Sequence, residues 1–281
     1  MPSTAPAALI QRLAGLYSAW PHVEAVALGG SHSGGLVDPA SDIDLYVFTT
    51  AEIPLAARET LVRQAGGASR ADLGLTYWGP GDEWYDAATG IEVDVVYFEA
   101  GWMREQIRRV IDDHQASLGY STCLWHTGRQ AHGLYDPRGW LQALQRDCQA
   151  AYPEALRRNI ITLNQPVLRT VIPSYFNQIA KAVQRRDWVS VNHRLAALLT
   201  SYFDILFAFN RVLHPGENVW RLRRWPAVRG CQPIGRRILT LCFRPLPRNN
   251  CSRRSPSFWI DWTNCFRSKR WITDVSAGRD H

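Results

Sequence analysis

Apolar residues alternate with polar ones in three short runs within the first hundred positions, and recur at helical spacing through most of the remaining chain up to about residue 216. VEAVALGG, residues 23–30, is β-branched and apolar and stops at glycines, which predicts a strand. DIDLYVF, residues 42–48, predicts a second strand. IEVDVVYFEA, residues 91–100, predicts a third, the strongest by its valines and its alternation. Ahead of the first strand, Leu9, Leu13, Leu16 and Tyr17 share one face of a helix predicted over about 5–20, with Ser3 or Thr4 as its cap. EIPLAARETLVRQAG, residues 52–66, predicts another helix, with Pro54 near its start and a glycine stop. Residues 71–90 predict a short strand and a turn-rich loop. A helical pattern begins at GWMREQIRRVIDD, runs almost unbroken from about residue 138, and stops at the His-Pro-Gly of residues 214–216. This order predicts an α+β fold. It has a small sheet-bearing domain over 1–102, an all-helical domain over 103–230, and an atypical tail over 231–281.

The 281 residues are enough for one large or two modest domains with real cores. No run of about 18 apolar residues occurs, so no membrane span is expected. The first twenty residues lack a basic leader and read as a helix rather than a secretory signal, so the expected compartment is the cytoplasm. A net charge of +7 invites a nucleic-acid partner, but its distribution withdraws the invitation. Residues 1–230 carry 22 basic and 22 acidic side chains, so the whole excess lies in the last 51 residues. That tail also holds Cys231, Cys242, Cys251 and Cys265, is rich in Arg, Pro, Ser and Trp, and has no helical or strand period. Three readings compete for it. One is a basic arm for nucleic acid. The second is a zinc site, weakened by the lack of any Cys-x-x-Cys pair. The third is the wrong reading frame of a GC-rich gene. With codons chosen to keep it open, the shifted frame from Gly230 reads as an amphipathic helical sequence, and this third reading is the one preferred. The neutral body by itself gives no support to a nucleic-acid partner.

Candidate chemistry gathers between residues 26 and 48. Gly29 and Gly30 directly follow a strand, where glycine lets backbone amides approach an anion and adopt positive φ. Ser31 adds a hydroxyl donor. No Gly-Lys-[Ser/Thr] comes after it, so this is not the lysine-bearing phosphate loop. A strand's period of two puts Asp42 and Asp44 on one face. Neighbouring carboxylates repel, and a divalent cation such as magnesium, which takes a few carboxylates together with phosphate oxygens, removes that penalty. Glu92 and Asp94 likewise share one face of the third strand, and Asp94 reaches the same cluster if that strand lies beside the second. Two metal ions held by three aspartates suit in-line attack at phosphorus. Each feature alone has a plainer account, as a turn, a strand cap or a wet strand face. Their conjunction, in order and spacing, does not.

These residues resemble the polymerase-beta-like nucleotidyltransferase superfamily. Its pattern is a hydrophobic strand, Gly-[Gly/Ser]-Ser, a loop of about ten residues, Asp-h-[Asp/Glu]-h, where h is an apolar residue, and a third acidic residue on a later strand. This chain matches with Gly30-Ser31, Asp42-Ile43-Asp44-Leu45 and Val93-Asp94-Val95, over about residues 22–98. KAVQRRDW and LFAFNRVLHPGE look like a helical partner domain found behind such modules in bacteria. The resemblance implies a small mixed-sheet domain followed by helices, and transfer of a nucleoside monophosphate from a nucleoside triphosphate to an acceptor. It implies two Mg2+ ions on Asp42, Asp44 and Asp94, with Asp94 also a candidate base. It implies that Gly29, Gly30 and Ser31 bind the phosphates. The acceptor is expected to be a small hydroxylated molecule such as an antibiotic. Transfer to protein or RNA, of toxin–antitoxin type, and a nucleotide-binding module without turnover are the alternatives. Lys181, the one lysine before the tail, is implied as a triphosphate contact and reads equally well as a solvated helix residue. His32 lies beside the proposed phosphates and reads equally as a solvated loop residue. The helical residues Asn192, His193, Arg194, Asn210, Arg211 and His214 read more simply as structural. Trp188, Tyr202, Phe203, Phe207 and Phe209 read as core rather than as a stacking platform.

Overall fold

A computed structural model describes residues 4–30 and 42–216, all within one structural unit spanning 1–217. Ser31, His32 and the tail over 231–281 lie outside the described residues. The fold is α+β and is built on a six-stranded mixed sheet in the order β3-β4-β5-β2-β1-β6. Its strands are β1 Val23–Leu28, β2 Ile43–Thr49, β3 Ala68–Leu75, β4 Gly81–Asp86, β5 Glu92–Glu99 and β6 His132–Tyr135. The β2–β5 pair is parallel, and the other neighbours are antiparallel. The helices are α1 Thr4–Ser18, α2 Leu55–Gln64, α3 Ala100–Ile111, α4 Cys123–Gln130, α5 Trp140–Asp147, α6 Glu154–Gln165, α7 Tyr175–Gln184 and α8 Trp188–Phe209, with a π-helical turn at Pro166–Thr170 after α6. Among the described residues no helix is long and apolar enough to cross a membrane.

Both faces of the central strands are buried, which is why β1 and β2 read as nearly continuous apolar runs. On one face Val26, Leu28, Ile43, Leu45, Val47, Val93 and Val95 pack against Leu9, Leu13 and Tyr17 of α1 and Leu61 and Val62 of α2. On the other, Ala25, Ala27 and Phe48 meet Met103 and Ile107 of α3, Trp125 of α4, Leu141 and Leu144 of α5, and Leu156 and Ile160 of α6. Alanines at 25 and 27 keep that face of β1 low, so the helices can approach the backbone closely. The expected boundary at 102/103 falls inside the first turn of α3, just past the end of β5. Helices dominate beyond it, yet α3–α6 share their core with the sheet and β6 joins β1 at its edge.

Two elements depart from the expected ones. Residues 68–86 form a two-stranded hairpin, not a single short strand with a loop. Its inner strand β4 hides from a period-two reading because its buried face carries two aspartates. Asp82 and Asp86 are buried on either side of Trp84. Asp82 accepts hydrogen bonds from Arg58 Nη1 at 2.9 Å, the Gly74 amide at 2.7 Å and the Tyr97 hydroxyl at 2.6 Å, which supply the partners a buried carboxylate needs. β6 is only four residues long and contains a glycine. Strands this short carry too little alternation to be seen in sequence.

Candidate active site

The parallel register sets Asp44 of β2 directly beside Asp94 of β5. Residues paired across a sheet project to the same face, so both carboxylates stand on one side of the two central strands. The antiparallel register of β4 then sets Glu83 beside Asp94 on its far flank. Glu92 pairs with Tyr85, and the phenol hydrogen-bonds the Glu92 carboxylate. Asp44, Asp94 and Glu83 are half-buried, while Asp42, just ahead of β2, and Glu92 are exposed. Burial pushes the Asp94 carboxyl up to about 6, and repulsion from Glu83, Asp42 and Glu92 adds to the shift. The Asp94 carboxylate therefore stands in the like-charge field of Glu83 from β4, Glu92 from its own strand and Asp42 just ahead of β2.

Gly29 and Gly30 close this site from β1. The Gly29 amide donates to the Asp44 carbonyl at 2.8 Å, continuing the β1–β2 ladder past the end of the strand. A Cβ on Gly29 would overlap the Tyr46 ring, and a Cβ on Gly30 would overlap the Asp44 carboxylate. Gly30 also has φ +52°, a conformation that costs other residues energy. The two glycines are thus required by how closely the β1 backbone passes over the side chains of Asp44 and Tyr46. The Gly30 backbone hydrogen-bonds the Tyr46 hydroxyl, and burial next to Asp44 pushes that phenol up to about 12, so it stays protonated.

The structure thus brings Gly29, Gly30, Asp44 and Asp94 together at one end of β1, β2 and β5, with Asp42 close enough to act on Asp94. Lys181 is exposed on α7, a helix that packs chiefly on α8 and the π-helical turn. His214 is buried, edge-on to Tyr120 and against Phe207, and its Nδ1 accepts from the Gly216 amide at 3.1 Å. Phe207 is core, whereas Trp188 and Phe209 are partly exposed. Sequence reasoning misses Glu83 and Tyr46. Tyr46 carries a usable signal, since it lies two positions after Asp44 on the same face. Glu83 carries none, because β4 does not read as a strand.

The donor set suits a hard divalent cation: paired carboxylates on rigid strands, in mutual repulsion that a cation would relieve. As the side chains stand, no group of three or more His, Cys, Asp and Glu is arranged to hold a metal ion among the described residues. Comparison with known proteins finds no family model and no curated protein that matches the chain.

Proposed function

We propose that the protein is a magnesium-dependent nucleotidyltransferase. It moves a nucleoside monophosphate from a nucleoside triphosphate to a hydroxyl of an acceptor, and the acceptor proposed is a small hydroxylated molecule such as an antibiotic. The observation that carries the reading is the register of Asp44 with Asp94 on adjacent parallel strands, directly under a glycine turn with positive φ. Asp42, Asp44 and Asp94 would hold two Mg2+ ions, which neutralise charge on the triphosphate and on the departing pyrophosphate. Gly29 and Gly30 let the backbone pass close to the β- and γ-phosphates and Ser31 offers them a hydroxyl, while the Gly29 amide stays on the Asp44 carbonyl. Lys181 is carried in this proposal as a further triphosphate contact. The acceptor oxygen bonds to the α-phosphorus as the bond from that phosphorus to the α–β bridging oxygen breaks and pyrophosphate leaves. The hydroxyl proton passes to Asp94 as the base. We place the protein in the cytoplasm, where triphosphates are supplied and where Cys123 and Cys148, both free thiols, stay reduced.

A thermal-shift titration with Mg2+ and each of the four nucleoside triphosphates tests the proposal, with Asp44→Asn alongside. Ligand at about 100 times its dissociation constant adds about 2.7 kcal/mol. For a body of this size that raises Tm by roughly 5–10 °C. The rise should need Mg2+ and should be lost in the variant. Folded wild-type protein that responds to no triphosphate would sink the proposal.

A further inference from the structure

A line of aromatic rings crosses the face of the sheet that carries the carboxylates. Trp140 of α5 lies 4.9 Å from Phe48 of β2, Phe48 stacks on Phe98 of β5 at 5.7 Å, and Phe98 stacks on Trp102 of α3 at 6.3 Å with ring planes 6° apart. The first three rings are buried or half-buried, but Trp102 ends the line 45% exposed. The series runs from β2 across β5, so the outer face of the indole looks away from Phe98. At 6.3 Å the Phe98–Trp102 pair is already in contact distance, so a further ring adds to the outside of the stack and not between them. Trp102 is held in place by its backbone. Glu99 caps α3 and accepts from the Gly101 amide at 2.8 Å and the Trp102 amide at 2.5 Å. The cap fixes the backbone and the stack on Phe98 supports the ring, so part of the ordering cost is met before any ligand arrives.

Along β5, residues 94, 96 and 98 share the face of Asp94. Phe98 lies four residues from Asp94, or about 13 Å at the rise of a strand. Half-buried Val96 and Gly81, which are register partners, form an apolar floor on that stretch. A carboxylate at one end, an apolar floor and a rigid, exposed indole at the other match the order of parts in a nucleotide: phosphate, sugar, flat base.

We propose that Trp102 is the nucleobase platform of this site, stacking the base of the bound triphosphate against its outer face. This rests on the nucleotidyltransferase reading above. Stacking takes any base and prefers the larger purines, so Trp102 supplies affinity more than base identity.

The test compares two Mg2+ ligands that share a triphosphate and differ in the base: ATP and inorganic tripolyphosphate. Affinities are measured by calorimetry for wild type, Trp102→Ala, Trp102→Phe and Asp44→Asn, with circular dichroism to establish that each is folded. Trp102→Ala is expected to weaken ATP by about 5- to 100-fold, the range that alanine substitution of a stacking aromatic gives. Tripolyphosphate affinity should not change, and Trp102→Phe should recover most of the ATP affinity. Equal loss of both ligands, or loss of neither, overturns the platform while leaving the phosphate site standing. If wild type binds neither ligand, or Asp44→Asn binds both as wild type does, the nucleotidyltransferase reading falls and the platform falls with it.

Discussion

Replacing Asp94 with asparagine should stabilise the protein and abolish the proposed nucleotidyl transfer. Asn keeps the size and most of the shape of the side chain but removes a charge that burial disfavours and that Glu83, Asp42 and Glu92 repel. The Asp94 carboxyl sits at about 6 against an ordinary value of 3.8. At about 1.4 kcal/mol per unit, the shift corresponds to an upper limit of about 3 kcal/mol at pH 7.5. Asp94 is only half-buried, so solvent screening reduces this to about 1–2 kcal/mol. The folded pKa is raised, so protonation favours the folded state. Its contribution is fully present below the unfolded value near 4, and is lost as pH rises through 6. Wild type should therefore gain stability on acidification from pH 7 to 5 relative to Asp94→Asn, and the two should converge below about pH 4. At pH 7.5 without divalent cations, the variant should melt about 3–6 °C higher. Differential scanning calorimetry across that pH range measures the gap, and pyrophosphate release measures the reaction. A gap that is absent, reversed or independent of pH would refute the picture of a carboxylate kept charged against burial and repulsion. Charge kept at an energetic cost is the pattern of a site selected for function over stability.

Three further outcomes are expected from the same structure. Gly30→Ala adds a Cβ into the Asp44 carboxylate at φ +52°, which should cost roughly 1–2 kcal/mol from the backbone alone and turn Asp44 out of place. Its Mg2+-dependent thermal shift with triphosphate should disappear, and a shift equal to wild type would remove the case for the turn. Arg58→Met strips Asp82, which is fully buried, of its cation. Chemical denaturation should record a loss of about 3–5 kcal/mol, and a loss under about 1 kcal/mol would mean that the Tyr97 and Gly74 hydrogen bonds suffice. Tyr46→Phe keeps the ring beneath Gly29 but deletes the hydroxyl that the Gly30 backbone bonds. Calorimetry should find weaker Mg2+–triphosphate binding with stability reduced by about 1 kcal/mol, and unchanged binding would leave Tyr46 as packing alone.

Local pattern determined a good deal of this protein. The apolar runs at 23–28 and 43–49 are strands because both their faces are buried, and the valines of 93–96 mark β5 in the same way. The face-sharing of Asp42 with Asp44 and of Glu92 with Asp94 needs only the period of a strand. Sequence could also place a turn at Gly29–Gly30. It could not say why glycine is needed there, because the colliding atoms belong to Asp44 and Tyr46, on the next strand. Pairing across the sheet was likewise out of reach. Asp94 meets Asp44 and Glu83 through long-range registers, and a slip of one residue would turn Asp94 to the opposite face, where Val93 and Val95 now pack. β4 escaped because Asp82 and Asp86 break the apolar period on its buried face, and the partners that make them tolerable, Arg58 and Thr89 among them, come from outside that strand. Composition and periodicity marked β1, β2 and β5 as strands and showed which of their side chains share a face. Only the tertiary structure decided which strands are neighbours, because that choice is made by packing two helical layers onto one sheet, and the charge field at Asp94 exists only once it has been made.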